Sequence, residues 1–182
     1  MIWIFLAQGF EEVEALTPLD LLRRAGCEVV TVGIGSCRIK GSHGIEVLSD
    51  TDDAHLPEQR PDMVILPGGM PGTTGLDASV TVEKTVLDCH ARGGYLAAIC
   101  AAPMVLGKRG LLAGKRATCY PGFEQYLTGA TVSRGGVVVD GHVITAAGMG
   151  VALDFGLELV AILKGREVAN RLREAVMAPP TA

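Results

Sequence analysis

The sequence predicts an α/β fold in which a central, mostly parallel β-sheet is flanked by helices. Three observations carry that prediction. Apolar, strand-like runs alternate with stretches of helical periodicity along the chain. Two of the runs, Met63 to Leu66 and Tyr95 to Ile99, are continuously apolar, as strands are when helices cover both faces of a sheet. Several runs also end abruptly at Gly9, at Gly68-Gly69 and at Cys100. In a parallel sheet, such junctions converge beyond the carboxyl ends of the strands, where binding sites form.

Taken in order, Ile2 to Ala7 is a first strand that gives way at Gly9 to Phe10-Glu11-Glu12-Val13-Glu14. Acidic residues there suit the positive end of a helix dipole. The helix continues through Leu16, Leu19 and Leu22 to Arg23-Arg24-Ala25-Gly26, with cations in its last turn and glycine past its end. Val29 to Ile34 is a second strand and Ile45 to Leu48 a weak third, separated by the glycine-rich stretch Gly33 to Gly44; Asp50 to Pro61 reads as a polar loop. After Met63 to Leu66 come Pro67-Gly68-Gly69-Met70-Pro71-Gly72, then a helix over Thr81 to Ala91 with Val82, Val86 and Cys89 on one seam. Gly93-Gly94 stops that helix before the strand Tyr95 to Ile99. Ala101 to Gly107 is a short helix that tolerates Pro103 in its first turn, and Arg116 to Cys119 a strand. Val137 to Ile144, with Asp140-Gly141 at its centre, has the turn chemistry of a hairpin. Met149 to Leu163 is a largely buried helix, and Val168, Leu172 and Val176 mark a last amphipathic one. Residues 1–182 are expected to form one domain with its core in 2–177 and a frayed tail over 178–182.

Composition limits the function classes. The chain has 182 residues, 48% hydrophobic and 20% charged, so it folds rather than remaining disordered. A net charge of -4 with no basic stretch argues against a nucleic-acid-binding surface. Met1 to Ala7 has no basic residue before an apolar run too brief for a signal peptide or membrane span, which points to the cytoplasm. The five cysteines, Cys27, Cys37, Cys89, Cys100 and Cys119, form no CxxC pair, and the four histidines, His43, His55, His90 and His142, stand singly. Reduced thiols are expected, with no disulfide framework and no metal centre.

Cys100 occupies the turn between a buried strand and a helix start, the place of a nucleophile elbow. A helix start favours the thiolate, so the thiol is expected to ionise more readily than a free one; position alone also fits a small buried hydrophobe. Gly68-Gly69 is either a tight turn or a place where a bare amide approaches whatever Cys100 attacks, completing an oxyanion hole with the Ala101 amide. It lacks GxxxxGK[ST] and misses GxGxxG, so it is a poor nucleotide loop. Of Glu11, Glu12 and Glu14, one turned toward the sheet edge would be desolvated into a proton shuttle, and at least two are expected to be solvated. Tyr120, before Pro121, is either a phenol at a strand end or a half-buried aromatic. Cys27, Cys37 and Cys89 read as structural.

Together these junctions resemble the DJ-one family of the ThiJ/PfpI superfamily, most closely its branch with the bacterial and parkinsonism-associated members. The matching segments are Gly9 to Glu14, Pro18 to Gly26, Val64 to Gly69, Ala98 to Pro103, Thr118 to Pro121 and Thr145 to Leu163, collinear from Ile2 to Leu163. The resemblance implies a flavodoxin-like sandwich, a homodimer, Cys100 as nucleophile, Glu14 as the carboxyl that exchanges a proton with the sulfur, and Gly69 and Ala101 as the oxyanion amides. Tyr120 stands where the family has histidine or tyrosine. Arg24 matches one of two basic residues of an anion pocket near the dimer interface, and His43 stands where the second is often arginine. The implied activity needs no cofactor: a glyoxalase or deglycase acting on small α-oxoaldehydes such as methylglyoxal, or on their protein or nucleotide adducts. The alternative is a redox-responsive protective protein or holdase using oxidation of Cys100. Peptide or amide hydrolysis is disfavoured, because Ala101 follows the cysteine where the peptidase branch has histidine.

Overall fold

A computed structural model describes residues 1–179. The elements in chain order are β1 (Ile2–Leu6), α1 (Glu12–Arg24), β2 (Val29–Gly33), β3 (Arg38–Lys40), β4 (Glu46–Leu48), β5 (Thr51–Asp52), β6 (Met63–Leu66), α2 (Gly72–Ala78), α3 (Val80–Ala91), β7 (Tyr95–Ile99), α4 (Pro103–Lys108), β8 (Arg116–Ala117), β9 (Thr131–Val132), β10 (Val137–Asp140), β11 (Val143–Ala146), α5 (Ala152–Lys164) and α6 (Arg166–Ala175).

Seven strands form the central sheet in the order β10-β11-β7-β6-β1-β2-β5. All neighbours are parallel except the β10–β11 hairpin. Strand alternation divides the core into two. Trp3, Phe5, Val64, Leu66, Leu96 and Ala98 face one side and pack with Leu76, Val82, Val86, Val105 and Leu106 of α2, α3 and α4. Ile2, Ile4, Leu6, Met63, Ile65, Ala97 and Ile99 face the other and pack with Leu21, Leu22, Phe155, Leu159 and Val160 of α1 and α5. The central strands are apolar on both faces because both faces are covered.

Gly156 sets the closeness of α1 and α5, since a Cβ there would lie 2.6 Å from Leu21 Cδ1 and 3.0 Å from Pro18 Cα. From β1 the chain turns one way to β2, then returns to the other side of β1 to form β6. The crevice of a doubly wound sheet opens at that switch point.

Several expectations are corrected. The polar loop over 50–61 contains β5, an edge strand held by two paired residues. The glycine-rich stretch contains β3, which pairs with β4 in a separate antiparallel ribbon outside the main sheet. Likewise β8 lies outside it, paired with β9, and Thr118 and Cys119 are not strand residues. The run after Gly69 includes a helix, α2, that glycine and threonine content concealed. Met149–Val151 is a 3-10 turn, and the α-helix starts only at Ala152. At the end of the described chain the Ala178 amide donates to the Arg173 carbonyl at 3.0 Å and Arg173 donates to the Pro179 carbonyl at 2.7 Å. Residues 180–182 lie outside the described residues.

Candidate active site

The turn after β7 places Cys100 at φ 64, a left-handed conformation rare for a residue with a side chain. Backbone bonds hold it there. Its amide donates to the Ala146 carbonyl at 2.9 Å, and its carbonyl accepts the Tyr120 amide at 2.8 Å. Strain at a residue pinned from both sides is the signature of a nucleophile elbow.

The turn after β6 closes on the same point. A Cβ at Gly68 would lie 2.5 Å from Glu14 Oε2 and 2.6 Å from Cys100 Cβ, so only glycine leaves room for both. The Gly68 amide donates to Glu14 Oε2 at 3.0 Å. The amides of Gly69 and Ala101 act on the Cys100 thiol in favour of its charged form. They form a nest for negative charge on the sulfur, or on an oxygen one bond beyond it.

Glu14 rises from the first turn of α1 into this gap, 1% exposed, and lies beside Cys100 across Gly68. Burial pushes its carboxyl up to about 7, against the bonds from Cys100 and Gly68. Burial also pushes the Cys100 thiol up to about 12, aided by the Glu14 charge and hydrogen bond and opposed by the Gly69 and Ala101 amides. This corrects the expectation of an easily ionised thiol. The helix after Cys100 begins only at Pro103 and has six residues, and it does not offset burial beside a carboxylate. Above about 7 the two groups together carry a single negative charge, and below it the pair is neutral. A thiolate forms when the thiol proton passes to Glu14.

The acidic cluster differs from expectation too, since two of its three members are buried. Glu12 is 4% exposed. It accepts the backbone N–H of His43 at 2.8 Å and of Ile45 at 3.4 Å, and these bonds hold its carboxyl below the usual range against the opposing effect of burial. The Ser42 hydroxyl lies 3.1 Å from Glu11 and 3.3 Å from Glu12, and His43 Nδ1 lies 3.2 Å from Glu12. Glu11, Glu12 and His43 thus present ligand atoms within 4.8 Å of one another, a grouping that residues so far apart in sequence gave no hint of. The Glu12 oxygens are already engaged by these donors.

An open pocket of about 380 Å³ lies above the sulfur, lined by Glu11, Glu14, His43, Gly69, Met70, Cys100, Ala101, Tyr120, Phe123 and Met149. Tyr120 is 51% exposed, and its ring stands over Gly148, where a Cβ would come within 3.3 Å. Of the residues named from the sequence, Cys100, Glu14, Gly69, Ala101, Tyr120 and His43 meet here. Arg24 does not. It pairs with Asp20 at 2.6 Å at the opposite end of α1. Cys119 is buried and faces a different cavity, with Pro121, Ser133 and Arg134. Sequence reading did not single out Met70, Phe123 or Met149, which carry no motif and become lining residues only through the fold.

The model of the DJ-1/PfpI family matches residues 1–162. This chain belongs to that family. It is 36% identical over 177 residues to Drosophila melanogaster protein dj-1beta, covering 96% of this chain and 95% of that one. It is 32% identical over 164 residues to the Caenorhabditis elegans glutathione-independent glyoxalase DJR-1.2, covering 89% and 87%. Two Arabidopsis thaliana DJ-1 homologues match over only 38% and 46% of their own length. Among solved structures, oxidized Toxoplasma gondii DJ-1 superposes with a TM-score of 0.94 at 31% identity, covering 98% of both chains. The sandwich predicted for the fold is therefore the family's. No helix among the described residues is long and apolar enough to cross a membrane.

Proposed function

We propose that the protein is a cofactor-independent glyoxalase or deglycase that uses Cys100 to capture small α-oxoaldehydes such as methylglyoxal, or their adducts. The observation that carries this reading is the buried Glu14 carboxyl set beside the Cys100 thiol across Gly68, with the Gly69 and Ala101 amides favouring charge on the sulfur. The likeness to a relative named as a glyoxalase supports it.

Cys100 passes its proton to Glu14, and the sulfur adds to the aldehyde carbon. The carbonyl electron pair moves to oxygen and takes the proton back from Glu14, which gives a hemithioacetal. The Glu14 carboxylate then removes the hydrogen on that carbon as a proton, and the electron pair moves toward the neighbouring ketone as an enediol forms. Return of the proton to the second carbon leaves a thioester of the 2-hydroxy acid. Water cleaves it to lactate and the free thiol. The net change is methylglyoxal plus water to lactic acid; one carbon is oxidised as its neighbour is reduced, and no outside reductant is required.

The test is lactate formation from methylglyoxal by wild type, Cys100→Ser and Glu14→Gln. Lactate from wild type and none from either variant is expected. Equal production by wild type and Cys100→Ser would refute the mechanism.

A second reading is favoured by the same contact. A protonated Glu14 next to the sulfur is placed to donate to an oxygen added by peroxide, and a relative of this family has been solved in an oxidized form. It requires that mild peroxide add oxygen to Cys100 ahead of the other four cysteines. The protein is further proposed to act in the cytoplasm as a homodimer, for which sedimentation at micromolar concentration is the check.

A further inference from the structure

Thr145 is the one polar residue of β11, whose other members are Val143, Ile144 and Ala146. It is 0% exposed, and a hydroxyl shut among apolar side chains persists where it is hydrogen-bonded. Strand alternation puts it on the face of Val143, beside Ala98 of β7, where Ala117 and Cys119 also pack. Its oxygen accepts the Thr118 amide at 2.9 Å, in the segment that leads from β8 to Tyr120. Two backbone bonds complete a circuit with it. The Tyr120 amide donates to the Cys100 carbonyl at 2.8 Å, and the Cys100 amide donates at 2.9 Å to the carbonyl of Ala146, the neighbour of Thr145.

We propose that Thr145 is a positioning residue for Cys100: its hydroxyl closes the hydrogen-bonded circuit that holds the elbow, and so keeps the sulfur beside Glu14 and the Gly69 and Ala101 amides. This rests on Cys100 as the capturing nucleophile and extends that reading to a residue outside the pocket lining. Of the bonds in the circuit, those of Cys100 and Tyr120 run from backbone to backbone, whereas the bond to Thr118 depends on a side chain. Cys100 sits at φ 64, which a residue with a side chain adopts only under constraint, so releasing this link lets the Tyr120 segment move and the elbow relax. Loss of the acceptor also drives that movement, since Thr118 is 2% exposed and its amide would be left unpaired where it stands. Thr145, Thr118 and Ala146 are buried within one chain, so the circuit is complete whether or not a second copy is bound.

The first measurement separates hydroxyl from shape. Thr145→Val keeps the branched outline and lacks the acceptor, whereas Thr145→Ser keeps the acceptor and lacks the methyl group. For lactate formation from methylglyoxal, kcat should fall about tenfold or more in Thr145→Val, with KM changed less, and stay within about threefold of wild type in Thr145→Ser. The reverse order, with Thr145→Val active and Thr145→Ser impaired, would mean that residue 145 only fills space and would overturn the proposal. Deuterium exchange on the wild-type protein requires no variant to fold. The Thr118, Tyr120 and Cys100 amides should share one level of protection, as members of one opening unit do, and a Thr118 amide that exchanges far ahead of the other two would break the circuit.

The second measurement is independent of turnover. Iodoacetamide alkylates a thiolate by displacement, in which a sulfur–carbon bond forms and iodide leaves, and peptide mass reads the rate at each cysteine. Burial pushes the Cys100 thiol up to about 12, so an elbow that relaxes toward water frees more thiolate. At about pH 8, Cys100 of Thr145→Val should therefore react about tenfold faster than in wild type, while Cys89, 0% exposed on α3, keeps its wild-type rate. Turnover and alkylation thus move in opposite directions. Equal acceleration of Cys89, the mark of general loosening, would overturn the proposal, as would an unchanged rate at Cys100. If wild type makes no lactate while the alkylation pattern holds, Thr145 keeps its role and the glyoxalase reading falls.

Discussion

Burying Glu14 to serve the sulfur has a cost in stability, and the structure gives its size and its pH window. The carboxyl is raised from 4.5 to about 7 in the folded protein. Between those values the native state holds a proton that the unfolded chain has released, so stability conferred by the neutral acid is complete below about 4.5 and is lost as pH rises through about 7. Raising the carboxyl from 4.5 to about 7, at about 1.36 kcal/mol for each tenfold change in proton affinity, makes the loss about 3 kcal/mol. Glu14→Gln keeps the shape and an acceptor for the Gly68 amide but cannot ionise, so it escapes the loss. The assay is urea unfolding of both proteins at half-unit steps from pH 4.5 to 8.5. Subtracting one curve from the other removes the titrations they share. The stability of Glu14→Gln relative to wild type should rise by about 3 kcal/mol across that range, most steeply between pH 5 and 7. A difference that stays flat with pH would refute the claim that burial holds this carboxyl protonated.

Two further predictions concern the frame of the site. Gly68→Ala puts a methyl group 2.5 Å from Glu14 Oε2 and 2.6 Å from Cys100 Cβ. It should separate the pair and reduce turnover at least ~100-fold, a scale typical of reacting groups displaced by about 1 Å, at a stability cost of about 1–3 kcal/mol; parallel kinetics and thermal melts check both. Glu12→Ala removes the acceptor of the His43 and Ile45 amides, and hydrogen exchange at those two positions should accelerate while the β1 amides stay protected.

The large features were legible because they rest on periodicity. The unbroken apolar runs of β6 and β7 and the seam of Val82, Val86 and Cys89 report two-faced burial directly. Cys100 was legible because a strand end meeting a helix start is a local signal, and the family pattern around it sharpened the assignment of Glu14. The misses have physical causes. β3 and β5 have only three and two residues, too few for alternation to emerge from a sequence. At least two of the three acids were expected in water, and Glu12 departs from that because its anchors, the amides of residues 43 and 45, reach it only once the chain between β3 and β4 is folded against it. Cys100 was expected to ionise easily because the helix start can be read from the sequence, whereas the burial and the neighbouring carboxylate that oppose it belong to the finished fold.

The elbow at Cys100 is anchored by the Ala146 carbonyl, and the strand that supplies it lies beside β7 in the sheet. A growing chain that has just exposed Cys100 has not yet made that strand. Until it does, the thiol sits on flexible chain in water and ionises as an ordinary cysteine near 8.5, well below the finished protein's value of about 12. At neutral pH the unfinished chain therefore carries more free thiolate at this position than the folded molecule does, without the amides and carboxyl that would direct its chemistry. Closing β11 against β7 silences an indiscriminate nucleophile and leaves one that acts only through Glu14. During synthesis and refolding the thiol is accordingly open to reaction with any electrophile or oxidant it meets, and only the finished sheet sets a carboxyl and two amides beside it to direct that chemistry.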